Sequence, residues 1–192
     1  MNTFAQKCEM NWSDYIEYFN KVLEGKITTT PYDDPHFMEY TKLNISRMNR
    51  WLKQGVLNEK LVIKLKEISA PQHWVLITEP WCGDAAHIVP FIYLLSNVNP
   101  LISLEIQLRD IDSEIENYLT NGSKSVPKLI VRNNQNEDLY TWGPRPVAGQ
   151  NHFMHLKAQG LPLDQQKMGL QQWYNLDRGE SLQQELLDLN IN

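Results

Sequence analysis

Apolar positions along the first third of the chain recur at helical spacing. Trp12, Ile16, Phe19 and Leu23 stand four, three and four residues apart, which puts them on one face of a helix. Ser13 or Asp14 can cap that helix, and Gly25 ends it. The turn-rich stretch TTTPYDDP (28–35) breaks the pattern. Phe37, Tyr40, Ile45, Met48 and Trp51/Leu52 then mark a longer amphipathic helix that closes near Gly55. A third begins at Asn58, with Leu61, Leu65 and Ile68 inward.

From residue 72 the texture changes. HWVLIT (73–78) is a short, nearly continuous apolar run, as in a strand buried on both faces. A helix from Cys82 follows, with Ala85, Ile88/Val89, Ile92 and Leu95 on its inner side, and LISLEIQLRDI (101–111) alternates as a strand. Ser113 and Glu116 offer a capping box for a short helix that Asn121-Gly122 ends. VPKLIVRN (126–133) and EDLYTW (137–142) flank a polar turn and predict a hairpin. A helix is expected after Pro144–Pro146. The tail reads as helical with a break at Asp177–Gly179, where Ser181 and Gln184 offer a second capping box and Leu182, Leu186 and Leu189 share a face. This element order is α/β, with a central sheet covered by helices on both faces.

Composition narrows the function classes. The chain has 192 residues, 42% apolar and 21% charged, which suits one domain of ordinary globular make-up with elaborations. A net charge of −5 with no Lys/Arg block argues against nucleic acid and anionic lipid as partners. The N-terminal stretch lacks the basic-then-apolar order of a signal peptide, and no apolar run approaches the ~18–20 residues of a membrane span. A cytoplasmic location is therefore expected, where thiols are kept reduced. Cys8 and Cys82 are the only cysteines, too few for a disulfide framework or a four-thiolate zinc site.

The candidate chemistry lies at ITEPWCGDAAHIVPFI (77–92), where Cys82 sits between a strand and a helix. A thiol at a helix start meets unpaired backbone N–H groups and a partial positive charge, which favour the thiolate. Asp84 opposes this, as does Glu79 if it faces the sulfur, so a reactive but not strongly acidic thiol is expected. Trp81-Cys82-Gly83 matches the start of a W-C-G-P-C signature. Pro90, Val126-Pro127 and Gly143 fall at the matching spacings, and together these positions resemble the thioredoxin fold over roughly residues 58–160. The whole chain is similar to bacterial thioredoxin-family proteins that carry W-C-G-D-A.

The resemblance implies a thioredoxin-like α/β fold: a central mixed sheet with helices on both faces. A helical extension (1–57) would precede the core (58–160), and another (161–192) would follow, all packed as one unit. It implies a site of Cys82, Trp81, Gly83 and Asp84, with Trp81 shielding the sulfur. A cis peptide at Val126-Pro127 would hold the Val126 backbone exposed for an extended substrate segment. Ala85 replaces the second cysteine and Leu76 the buried acid that serves it, which argues against a dithiol cycle. The implied chemistry is monothiol exchange: Cys82 forms a mixed disulfide with a protein or small-molecule thiol or disulfide. Release falls to an external thiol such as glutathione, or to Cys8. The alternative is a redox-inactive binding or scaffold module using the groove at Val126-Pro127, its extra helices suiting a homodimer or partner surface.

Blander readings stand beside these. Cys82 can be a small packed residue, and Asp84 either caps the helix or tunes the thiol. His87 reads as surface or packing, and Asp33, Asp34 and His36 as turn hydrogen bonding. Trp12, Trp51 and Trp173 read as core or interface, and Pro90 as a helix bend. His152 and His155, spaced i,i+3, read as ordinary helix positions. No resident cofactor or metal is expected, because a single cysteine without a grip for glutathione does not suit an iron–sulfur cluster.

Overall fold

The run HWVLIT becomes the centre of the sheet in the structure, a computed structural model that describes residues 10–189. This strand, β1 (Gln72–Thr78), is buried along nearly its whole length. It pairs in parallel with β2 (Ile102–Leu108) and antiparallel with β3 (Lys128–Arg132), and β4 (Asp138–Trp142) closes the sheet antiparallel to β3. The order is therefore β2-β1-β3-β4. This is the thioredoxin-like mixed sheet with helical additions that the resemblance implies. Met10 adds an isolated antiparallel bridge to Ile106 on β2.

Three helices precede the sheet: α1 (Trp12–Leu23), α2 (Pro35–Gln54) and α3 (Glu59–Lys66). Between the strands run α4 (Ala85–Ser96) and a single 3-10 turn (Ile115–Asn117). The chain then adds α5 (Val147–Ala158), α6 (Leu163–Asp177) and α7 (Glu180–Asp188). Asp34 caps α2 by accepting from the His36 N–H, with Pro35 as its first residue. Asn58 caps α3 by accepting from the Leu61 N–H. Gly179, at φ +80, makes the break before α7, and its missing Cβ lets the Phe91 ring approach.

Several local expectations are corrected. In α1 the fully buried face is Tyr15, Phe19 and Val22, while Trp12, Ile16 and Leu23 are only partly covered. Asn11 makes the capping box there with Asp14, so Ser13 takes no part. The box at Ser113 does not form: Ser113 Oγ donates to the Arg109 carbonyl, and only a 3-10 turn results. Nor does the box at Ser181, which lies inside α7 and bonds Asp177. No helix among the described residues is long and apolar enough to cross a membrane. Cys8 lies outside the described residues.

Candidate functional site

Glu79-Pro80-Trp81 turns the chain out of β1, and the Cys82 N–H closes the turn on the Glu79 carbonyl at 3.0 Å. Cys82 stands just before α4, which begins at Ala85, and not within the helix as its pattern suggests. The Asp84 and Ala85 amides favour the thiolate. They do not decide its ionisation. The residue is 7% exposed, and Sγ donates to the Val126 carbonyl at 3.2 Å. Burial, followed by the Asp84 carboxylate, pushes the thiol up to about 12 against those amides and Arg145. Burial thus opposes the acidity that the helix-start position favours, and the sulfur is a buried hydrogen-bond donor.

Val126 precedes a cis peptide to Pro127, as the resemblance implies. The expected exposed backbone is absent: Val126 is 5% exposed, and its carbonyl is taken by the thiol. Beside it, Gly143 has φ +115, and a Cβ there would lie 2.3 Å from the Pro127 carbonyl oxygen. Only glycine satisfies both conditions.

Asp84 makes no side-chain cap. Its Oδ2 pairs with Arg145 Nη2 at 2.6 Å, and its Oδ1 accepts from the Tyr174 hydroxyl at 2.7 Å. One carboxylate thus ties the start of α4 to the loop before α5 and to α6. Tyr174 stacks on His87, with ring centroids 4.5 Å apart. The Trp51 indole N–H donates to His87 Nδ1 at 2.9 Å, so the network assigns the proton to Nε2, which donates to Gln171 Oε1 at 2.7 Å. Burial, with Arg47 and Arg50 nearby, lowers the His87 pKa to about 4. His87 is a packing residue, wedged between α2 and α6.

Glu79 lies on the other side of the turn and is 2% exposed. It accepts from the Tyr32 hydroxyl at 3.2 Å and from the Asp110 N–H at 3.0 Å. Its partners are these groups rather than the thiol, and burial raises its pKa to about 7. Glu79 and His87 affect stability with opposite signs. Unfolded His87 binds a proton below ~6.5 that the native ring refuses until about 4, so acid destabilises over that window. Native Glu79 holds a proton up to about 7 that the unfolded chain loses above ~4.3, so rising pH destabilises there. Between ~4.5 and 6.5 the two slopes offset. Glu79→Gln keeps the shape, removes one slope, and should reveal a stability loss of about 3 kcal/mol from pH 6.5 to 4 in urea titrations, a loss that should be largely offset in the parent.

A cavity of about 510 Å³ opens over Cys82. Its floor is Trp81, Cys82, Gly83 and Asp84, and the cis-proline strand is not part of its lining. Helix α2 contributes Phe37, Tyr40 and Arg47, α5 contributes Phe153, and α6 contributes Lys167, Met168 and Gln171. Trp81 packs edge-on against Phe37, and the Arg109 guanidinium covers the Trp81 ring at 4.6 Å. Of the site residues read from sequence, Trp81, Cys82, Gly83 and Asp84 converge on this cavity, whereas Val126 and Pro127 lie behind the thiol. Sequence reasoning missed Arg47, Arg145, Lys167 and Tyr174. A signal existed in α6, where Leu163, Lys167, Leu170 and Tyr174 recur at helical spacing. It did not show what that face covers.

The geometry agrees with comparison to known proteins. A family model described as thioredoxin matches residues 32–159, more than half of the chain. The chain belongs to the thioredoxin family. The match takes in α2 and α3 and ends before α6. No curated protein matches. Among solved structures, an HIV epitope-scaffold protein is similar at 15% identity and TM-score 0.57, covering 91% of this chain and 96% of its own. A protein of unknown function from Pseudomonas aeruginosa is similar at 15% identity and TM-score 0.50, covering 89% of this chain and 99% of its own. At that identity both similarities concern the fold.

Proposed function

We propose that this thioredoxin-family chain works as a small-molecule binding module, with the cavity over Cys82 as its working part. The observation that carries the reading is the pairing of a cavity open to one side with a buried thiol that donates to a backbone carbonyl. Helices α2 and α6 line the cavity over the sulfur, whose proton is held on Val126. Thiol–disulfide exchange needs the thiolate, and a thiol near 12 supplies on the order of one part in 10⁵ at pH 7. The volume is in the range that takes up small organic ligands.

A second reading, monothiol exchange, is favoured by the sulfur's place in the cavity floor, where the Asp84 and Ala85 amides favour its thiolate. There the Cys82 thiolate attacks a disulfide, forms a mixed disulfide and expels the other half as thiolate. An external thiol such as glutathione then releases Cys82 by a second exchange.

Reaction with 5,5′-dithiobis(2-nitrobenzoic acid) at pH 7.5 separates the two. In Cys8→Ser protein, native Cys82 is expected to react at least about 100-fold more slowly than the same thiol in urea. A native rate above the unfolded one would transfer the assignment to exchange.

A further inference from the structure

The cavity wall is not uniformly apolar, and its cations outnumber its carboxylates. Arg47 reaches the lining half-buried from α2, and its only hydrogen-bond partner among the described residues is the neutral Asn44 Oδ1, at 2.9 Å. Lys167, one α6 turn beyond Asp164, lies over the Tyr40 ring at 4.9 Å. Neither cation forms an ion pair with a carboxylate among the described residues. Arg145 is neutralised by Asp84, but its Nε is buried without a partner, and so is the Trp81 indole Nε1. Both residues line the cavity. The unneutralised Arg47 and Lys167 ask for an acceptor carrying negative charge.

Charge sets the class more narrowly. Arg47, Arg145 and Lys167 face Asp84 and Asp164, an excess of one positive charge in a chain whose net charge is −5. One excess cation matches a monoanion, whereas a phosphate dianion would be left partly uncompensated beside two carboxylates. A guanidinium fork fits a carboxylate bidentately. Phe37, Trp81, Phe153 and Met168 supply apolar wall for the rest of the molecule. We propose that the cavity binds a small carboxylic acid with an aromatic or aliphatic body, its carboxylate on Arg47 and its apolar part over the Cys82 thiol. This rests on the binding-module reading and specifies its ligand.

The test uses three probes with one body: 4-phenylbutyrate, 4-phenylbutanol and 4-phenylbutylamine. Binding to the full chain is followed by NMR through the Trp81 indole resonance. The acid should bind at least about 10-fold more tightly than the alcohol, and the amine most weakly. Arg47→Gln should bring the acid down to the alcohol's affinity without changing the alcohol's own, and Arg47→Lys should restore part of the difference. Equal binding of all three, or tightest binding of the amine, overturns the carboxylate assignment and leaves the binding module standing. No response to any of them overturns both.

Discussion

Asp84→Asn should destabilise the protein by about 3–5 kcal/mol and at the same time make Cys82 more reactive. The stability loss follows from what the carboxylate does. Its side chain is 12% exposed and that of Arg145 is 16% exposed, so removing the charge leaves a largely desolvated guanidinium unpaired. Asparagine can still accept from the Tyr174 hydroxyl, so the loss belongs to the ion pair rather than to the whole contact. The gain in reactivity follows from the same charge. After burial, Asp84 is the largest influence raising the thiol, and its removal also frees Arg145 to stabilise a thiolate. Burial persists, so the thiol should fall from about 12 without reaching an ordinary cysteine value. Urea denaturation reads the first effect and alkylation against pH the second. Lower stability with unchanged alkylation would mean that Asp84 does not act on the sulfur.

Gly143→Ala should cost more than about 4 kcal/mol, among the largest single-site effects in this fold. Two costs coincide there. A left-handed φ of +115 strains any residue with a side chain, by about 1–3 kcal/mol. The added Cβ would also lie 2.3 Å from the Pro127 carbonyl oxygen, and a backbone atom cannot rotate away as a side chain can. Gly122→Ala is the matched control, with φ +77 and open space around the new Cβ, so it should show only the strain. The displaced Pro127 adjoins Val126, whose carbonyl holds the thiol proton. Gly143→Ala protein that still folds should therefore expose Cys82 to alkylation, whereas Gly122→Ala should not. Similar losses in the two variants would remove Gly143 from its role beside the site.

What could be read from the chain beforehand depended on how local each cause was. The run at 73–78, the Asn58 cap and the break at Gly179 are set by neighbouring residues, and they appear in the structure where the pattern placed them. Ser113 and Ser181 were misread because their side chains bond Arg109 and Asp177 instead of capping. Trp81-Cys82-Gly83 located the site, and Gly143 and Pro127 do meet beside it. The burial of Cys82 was not legible, because helix-start amides are a local feature whereas burial is set by residues distant in the chain, Val126 among them. Asp84 and Tyr174 are ninety residues apart in the chain, and no local pattern couples them. The cavity was hidden for the same reason: its floor comes from a short motif and its walls from helices at opposite ends of the chain.

A neutral Cys82 thiol beneath the binding cavity can be read from NMR titration of ¹³Cβ-labelled Cys82 in Cys8→Ser protein. This signal should hold its thiol position through pH 10 while the protein stays folded. A thiolate shift with a midpoint below ~8 would contradict it and return the site to exchange chemistry.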